Sequence, residues 1–452
     1  MLQTAPQARP FADFVLATSA DQIPDTALER VQDLILDLIG VGAAARHIDA
    51  SRLGREMAIR LFNAGSDEDR GRILFDGRTA SLGGAAYAGA TQIDALDAHD
   101  GYSPSKGHAG CGLLPGVLAF AEHKPELTGP EFLATMVLGY EIACRAGVAL
   151  HGTVPDYHTS GAWVAVAVAA LGVRLAGGSE DTLRQAIGIA EYHGPRSQMM
   201  REIDNPTMLH DGSGWGSMVG VTSAELALSG FAGAPALTVE SDEATTYWAD
   251  LGHDWLVEKQ NIKLFPVCRW AHAPIQAAFN LRDEHGLEPD DIAAIEISSF
   301  HNATRLALDI PETTGKAQYS ISYPVAAALV FGQLGAREVS GETFNDGDVA
   351  RLVAATSVSE CDECNANFPA DRLGRTVIVT TDGRRLDSGI VRAPGEHTNP
   401  IDRAGLIEKF HGLTEPVLAK DRRLEIERAV FGLRDPGAKL RDLAELLYAP
   451  VA

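Results

Sequence analysis

The chain is poor in cysteine, poor in aromatic residues and short of positive charge. Five cysteines in 452 residues (Cys111, Cys144, Cys268, Cys361 and Cys364) are an odd number for a long chain. That argues against a disulfide framework and for a reducing compartment. Cys361-Asp-Glu-Cys364 is a lone C-x-x-C, and without a second pair it is weak support for a zinc site. Lysine and arginine total 38 against 61 aspartates and glutamates, a formal charge of −23. Nucleic acid and anionic membranes are therefore not expected partners. A local cluster of Lys, Arg and His can still oppose that field and hold a small anion. No apolar run reaches the roughly 18 residues that a spanning helix needs. Residues 1–11 lack the apolar core of a signal peptide, so the expected location is cytoplasmic.

What is present begins with size. At 48.0 kDa, with 45% hydrophobic and 22% charged residues, the chain is globular in composition and too long for one ordinary core. Its first 230 residues read as helices without a period-2 strand. Pro24 and Asp25 open a helix whose stripe is Val31, Leu34, Ile35, Leu38 and Ile39, ended by Gly40. Residues 81–91 are nearly all Gly and Ala, suited to close helix contact. Thr128-Gly-Pro-Glu131 reads as a capping box, and 161–175 as a helix apolar on almost every face.

The pattern changes after Pro274. Residues 292–300 alternate as a half-buried strand, and 353–358 offer another. Residues 376–381, Asp382-Gly383 and 384–391 form a hairpin signal of the type I′ kind. The expected fold is mainly α: a large all-α helical domain over residues 1–268 and 396–452, and a smaller α+β domain with an antiparallel sheet over 269–395.

Polar groups concentrate where the surroundings are apolar. Residues 261–272 read N-I-K-L-F-P-V-C-R-W-A-H, placing Lys263, Cys268, Arg269 and His272 on a segment that Pro266 keeps from being one helix. Cations on such a segment are costly to bury unless an anion meets them. Asp97-Ala-His99-Asp100 and the loop to His108 set carboxylates beside imidazoles, a common way to make an acid/base pair. His158 precedes the apolar helix, which Thr159 or Ser160 is placed to cap. His210 lies in a Gly/Ser-rich loop, and Tyr319 and Tyr323 flank the entry to a further apolar helix.

These motifs together resemble the MmgE/PrpD family, which includes 2-methylcitrate dehydratase, cis-aconitate decarboxylase and iminodisuccinate epimerase. The resemblance rests on Leu96-Asp97-Ala-His-Asp100 with Gly107-His108 and Pro115, and on Tyr157-His158-Thr-Ser-Gly161. It rests also on Lys263-Leu-Phe-Pro-Val-Cys268-Arg269 with His272, on Tyr319-Ser-Ile-Ser-Tyr323, and on the stretch from Gly395 to Pro400 with Lys409-Phe410. The matches fall in family order over about residues 80–410. The resemblance implies a homodimer and an active site in the cleft between the two domains, with no cofactor and no metal. Three departures are plain, one being that the Asp97 loop has one more residue before His108 than the family pattern. The family lysine near Leu209 and His210 is missing, since no lysine lies between Arg174 and Lys259, and Gly101 stands where threonine is common.

The expected activity is that of a cofactor-independent lyase of the 2-methylcitrate dehydratase type. It would remove the proton α to a carboxylate of a small di- or tricarboxylate and eliminate water. Epimerisation or decarboxylation is the alternative that the missing lysine raises, and a non-catalytic carboxylate binder is another. Lys263 and Arg269 would neutralise substrate carboxylates, with Cys268 and His272 beside them. His108 or His158, tuned by Asp97, would be the base, and Tyr323 or His210 the opposing acid. Cys268 is read as packing rather than nucleophilic.

Overall fold

The computed structural model describes residues 10–451. In chain order its elements begin α1 (Phe11–Ala17), α2 (Asp25–Ala44), α3 (Asp49–Leu61), β1 (Arg70–Arg72), β2 (Thr79–Ser81), α4 (Leu82–Asp94) and α5 (Gly110–Ala121). Next come α6 (Gly129–Thr153), α7 (Gly161–Ala176), α8 (Glu180–His193), α9 (Met200–Asp204), α10 (Ser213–Leu228) and α11 (Leu237–Glu240). The second part runs α12 (His272–His285), β3 (Ile292–Ser299), α13 (Thr314–Gln318), α14 (Ser322–Phe331), α15 (Gly347–Ala354), β4 (Thr356–Glu360) and α16 (Asp362–Asn367). It continues through β5 (Leu373–Thr380), β6 (Arg385–Asp387) and β7 (Val391–Arg392), and α17 (Arg403–Thr414), α18 (Lys420–Gly432) and α19 (Leu440–Tyr448) close the chain.

Helix α7 is the axis of the helical body, as its all-round apolar sequence requires: α5, α6, α8 and α10 all pack on it. Its approach to α10 is close because glycine stands at the crossing. A Cβ at Gly220 would lie 2.5 Å from Val168 Cβ, and one at Gly216 would lie 2.5 Å from the Gly161 carbonyl. The capping box at Thr128 forms, with Glu131 reaching back to the Thr128 N–H at 3.0 Å.

Helix α6 corrects the reading of apolar runs. It has 25 residues and is long and apolar enough to cross a membrane, yet 94% of its apolar window is buried inside the protein. In sequence Glu141 and Arg145 interrupt the run, so it holds no unbroken apolar stretch of spanning length. Both are buried, and burial pushes the Glu141 carboxyl up to about 8.

Three further expectations change. Gly40 does not end α2, which runs on to Ala44; a Cβ at Gly40 would stand 3.0 Å from Phe410 Cδ2, so its smallness seats α17. The first 230 residues do contain strands: β1 and β2 pair antiparallel, each too short at three residues to show a period. Ser160 makes no cap bond to α7, because its hydroxyl is turned to Asp211.

The sheet runs β4-β3-β5-β6, with β7 also on β5. It is mixed rather than antiparallel: β4 pairs parallel with β3, made possible by the long helical crossover between them. Val353, expected in that strand, belongs to α15. The β5–β6 hairpin forms, but only Gly383 of its turn has positive φ, at 89°. Gly383 N donates to the Thr380 carbonyl, and Thr380 N to the Arg384 carbonyl. This is a longer loop with a left-handed glycine, not the two-residue I′ turn. The C-terminal helices return to the helical body, where Lys409 Nζ bonds Asp37 at 2.5 Å and the Ala98 carbonyl at 2.7 Å.

Gly220→Val is expected to cost about 1–3 kcal/mol of stability by overpacking the α7–α10 crossing. A urea midpoint unchanged from wild type would show that the two helices can separate freely.

Candidate active site

The site is made by four backbone segments packed together. After α4 the chain leaves helical geometry, and the loop 95–109 carries Asp97 and His108. Asp97 takes a left-handed φ of 55°, which a short polar side chain tolerates. The Lys263 segment lies against this loop, since Gly101 N donates to the Asn261 carbonyl at 3.1 Å and Asn261 N returns the bond at 2.6 Å. On its other side, Ile262 N donates to the Gly395 carbonyl at 2.9 Å. Cys268 N bonds the Gln318 carbonyl at 2.8 Å, which brings Tyr319 alongside.

A cleft of about 570 Å³, counting space open to solvent, lies over this junction. Asp97, His108, Lys263, Cys268 and Arg269 all line it, as the sequence led us to expect. Lys263 is buried, and its ammonium bonds the Asp97 carboxylate and, at 3.2 Å, the Asp97 carbonyl. Two of its three N–H donors are thus spent and one remains for a ligand. Arg269 gives Nε to Glu396 at 3.0 Å and Nη1 to the Pro394 carbonyl at 2.7 Å. Burial, then Asp97, pushes the Cys268 thiol up to about 12, so it is a protonated packing group.

His108 is held at three points. Its backbone N–H bonds Ser160 Oγ at 2.9 Å, its Nδ1 meets the Asp100 carbonyl, and its Nε2 lies 3.8 Å from Asp211 Oδ2. A carbonyl can only accept, so Nδ1 carries the proton and the neutral ring keeps its lone pair on Nε2. Asp211 is itself fixed by Ser160, whose hydroxyl donates to Oδ1 at 2.5 Å and whose N–H donates to the same oxygen at 3.2 Å. Behind His108 stands His99, fully buried with its ring centroid 4.7 Å away; burial above all lowers its pKa and keeps it neutral.

The remaining candidates lie elsewhere. His158 is buried outside the cleft, its ring beside His151 at 6.4 Å and its N–H bonded to His151 Nε2. Successive side chains of an extended stretch face opposite ways, so Tyr157 is the one that enters the cleft. Tyr323 is buried among Glu338, Thr343 and Phe344, with its phenol pushed up to about 12 by burial. Tyr319 lines the cleft instead. His210 sits behind Tyr319, ring to ring at 5.8 Å, and lines a separate small pocket with Asp94. His272 is buried: its Nδ1 accepts from Arg269 Nη1 at 3.1 Å and its Nε2 donates to the Val267 carbonyl at 3.1 Å. It positions Arg269 rather than meeting a ligand.

Sequence reasoning passed over Asp211, Asn261, Lys106 and Arg372, all on the cleft wall. Asp211 adjoins His210 and was within reach of the motif reading; Arg372 carries no local signal. Three of the four non-glycine residues with positive φ among the described residues, Asp97, Lys106 and His210, lie at or beside the cleft. Strained backbone of this kind gathers at functional sites.

Two family models cover most of the chain, the MmgE/PrpD N-terminal domain over residues 9–253 and the MmgE/PrpD C-terminal domain over 265–433. The chain is 23% identical to the cis-aconitate decarboxylase-like protein oryM of Aspergillus oryzae (strain ATCC 42149 / RIB 40), an alignment spanning 96% of this chain and 95% of that one. It is 25% identical to the cis-aconitate decarboxylase of Aspergillus terreus, over 96% and 94% of the two chains.

Replacing Lys263 by Met strands a buried carboxylate and is expected to cost about 3–5 kcal/mol. The double variant Lys263→Met/Asp97→Leu should recover most of that loss in urea unfolding. Additive losses would show that the two charges do not depend on each other.

Proposed function

Because the chain belongs to the MmgE/PrpD family, we propose that it is a cofactor-independent lyase acting on a small di- or tricarboxylate. It takes the proton α to a carboxylate and expels water from the neighbouring carbon. The observation that carries this reading is His108, whose Nδ1 is committed to the Asp100 carbonyl and whose Nε2 is left as a base on the wall that Lys263 shares. Charge developing on the substrate carboxylate is met by the remaining N–H of Lys263 and, through its charge alone, by Arg269, whose N–H groups are spent on Glu396, His272 and the Pro394 and Ala393 carbonyls. Asp211 accompanies the positive charge that His108 gains. The departing hydroxide needs a proton, and Tyr319, kept as a phenol by burial, is the acid on hand.

A second reading, decarboxylation, is favoured by the names of the two fungal relatives. In that reading His108 must start as the imidazolium, its Nε2 proton facing Asp211, and give that proton to carbon after carbon dioxide leaves. A panel of di- and tricarboxylates in deuterated water, followed by proton NMR, separates the readings. Loss of water, loss of carbon dioxide and bare exchange of a C–H for C–D give different products. His108→Gln is expected to lower the rate by about 10²–10⁴-fold. Binding of a carboxylate with neither product nor exchange would leave a non-catalytic carboxylate-binding protein.

We also propose a homodimer. Met208, Leu209 and Trp215 are exposed beside the loop that carries His210 and Asp211, with Leu228 at the end of α10 and Phe231 just beyond it. Trp215 packs edge-on to Tyr87 at 5.2 Å and leaves its outer face uncovered. Sedimentation should give twice the 48.0 kDa chain mass, and Trp215→Glu should return it to the monomer value. A monomeric wild type would refute the dimer.

A further inference from the structure

The cleft is lined by four cationic side chains, Lys106, Lys263, Arg269 and Arg372, against two carboxylates, Asp97 and Asp211. Lys263 is engaged by Asp97 and Arg269 by Glu396. Among the described residues no carboxylate pairs with Lys106 or with Arg372. Arg372 is only 7% exposed, and its one hydrogen bond is from Nη1 to the Pro369 carbonyl at 3.0 Å. Four of its five N–H donors are therefore open. Its guanidinium stands 6.0 Å from the Phe368 ring, which supports its position without using those donors. These donors reach the solvent of the cleft and form a ready site for an anion.

Lys106 comes from the other body of the protein, on the loop that also carries Asp97 and His108. Its left-handed φ of 55° helps turn the ammonium over the Tyr157 ring, at 5.6 Å from the centroid. The Tyr157 hydroxyl donates to the Lys106 carbonyl at 2.6 Å, which fixes the loop. Arg372 lies near enough to act on both Tyr157 and Arg269. Two like charges, Arg269 and Arg372, thus line the cleft within reach of each other, and only Arg269 has a carboxylate, Glu396, paired with it.

We propose that Lys106 and Arg372 form a second carboxylate subsite, which makes the cleft select substrates bearing a carboxylate remote from the reacting carbon. The inference rests on the lyase reading for the identity of the first carboxylate, held at Lys263 and Arg269. A fork of guanidinium N–H groups from the sheet side suits a carboxylate in two-point contact, and the ammonium closes from the loop. A monocarboxylate would leave the Arg372 donors to water, and this is the source of the selectivity.

The test uses the full-length protein and two probes of one skeleton, succinate and its monoamide succinamate, titrated by calorimetry. Wild type should bind succinate at least tenfold more tightly. Arg372→Gln and, separately, Lys106→Gln should each weaken succinate binding by about 10- to 100-fold and leave succinamate unchanged. Arg372→Lys should restore part of the loss. Equal affinity of wild type for the two probes, equal losses for both in the variants, or no binding of succinate would overturn the subsite. For any substrate found in the carboxylate panel, the variants should raise KM and spare kcat, as for a contact made equally in ground and transition states. A protein that discriminates the probes but turns over nothing would keep the subsite and lose the lyase. One that turns over carboxylates without discriminating would do the reverse.

Discussion

The ion pair between Lys263 and Asp97 is the contact on which the site depends. Both groups are buried, and taking two charges out of water costs several kcal/mol per ion unless they meet at close range and their other donors are used. Here the ammonium also bonds the Asp97 carbonyl, so the lysine fastens the loop backbone as well as its carboxylate. The 261–272 segment and the 97–108 loop are thereby held edge to edge, and the cleft lies along their seam. An arrangement this expensive is poor stability design, but it keeps a charged donor ready in a place from which water is largely excluded.

Around that pair the protein builds a positive interior inside a molecule whose formal charge is −23. The contradiction is only apparent. Screening limits exposed charges to a reach of about 8 Å at physiological salt, so the acidic surface does not cancel buried cations in the cleft. Of the four cleft cations, Lys263 and Arg269 are each oriented by a carboxylate, Arg372 only by the Pro369 carbonyl and Lys106 only by the Tyr157 ring. The imidazoles are sorted by what they touch: His272 is spent on Arg269, His99 is neutral in the core, and His108 alone has a nitrogen free at the cleft. Three similar side chains therefore perform three different tasks.

Much of the fold was legible because local rules and burial agreed. The apolar circumference of α7 declared a central helix, the Thr128 box declared a helix start, and the alternation of β3 declared a half-buried strand. Where they disagreed, tertiary packing prevailed. Gly40 is a stop signal by composition, yet α2 continues because Phe410, nearly 370 positions away, needs the space. The parallel pairing of β4 has no local sign, since strand direction is decided by the crossover and not by the strand. The motif residues were found, but which of two neighbours faces the cleft was not. Tyr157 and Tyr319 face it, and His158 and Tyr323 do not, because a step of one residue in extended chain or of four in a turn-to-helix entry reverses or rotates a side chain.

The sequence by itself determined the family, the helical and mixed α+β character, and the presence of Asp97, His108, Lys263, Cys268 and Arg269 as one chemical set. It could do so because each sits in a short motif whose spacing survives in one dimension. Only the tertiary structure decided that Asp211 faces His108, that His272 serves Arg269, and that Lys106 and Arg372 line one cleft. Those relations join residues that are distant in the chain or adjacent without a common direction. An ionisable group acquires its role from the charges within a few ångströms of it, and that distance is set by packing.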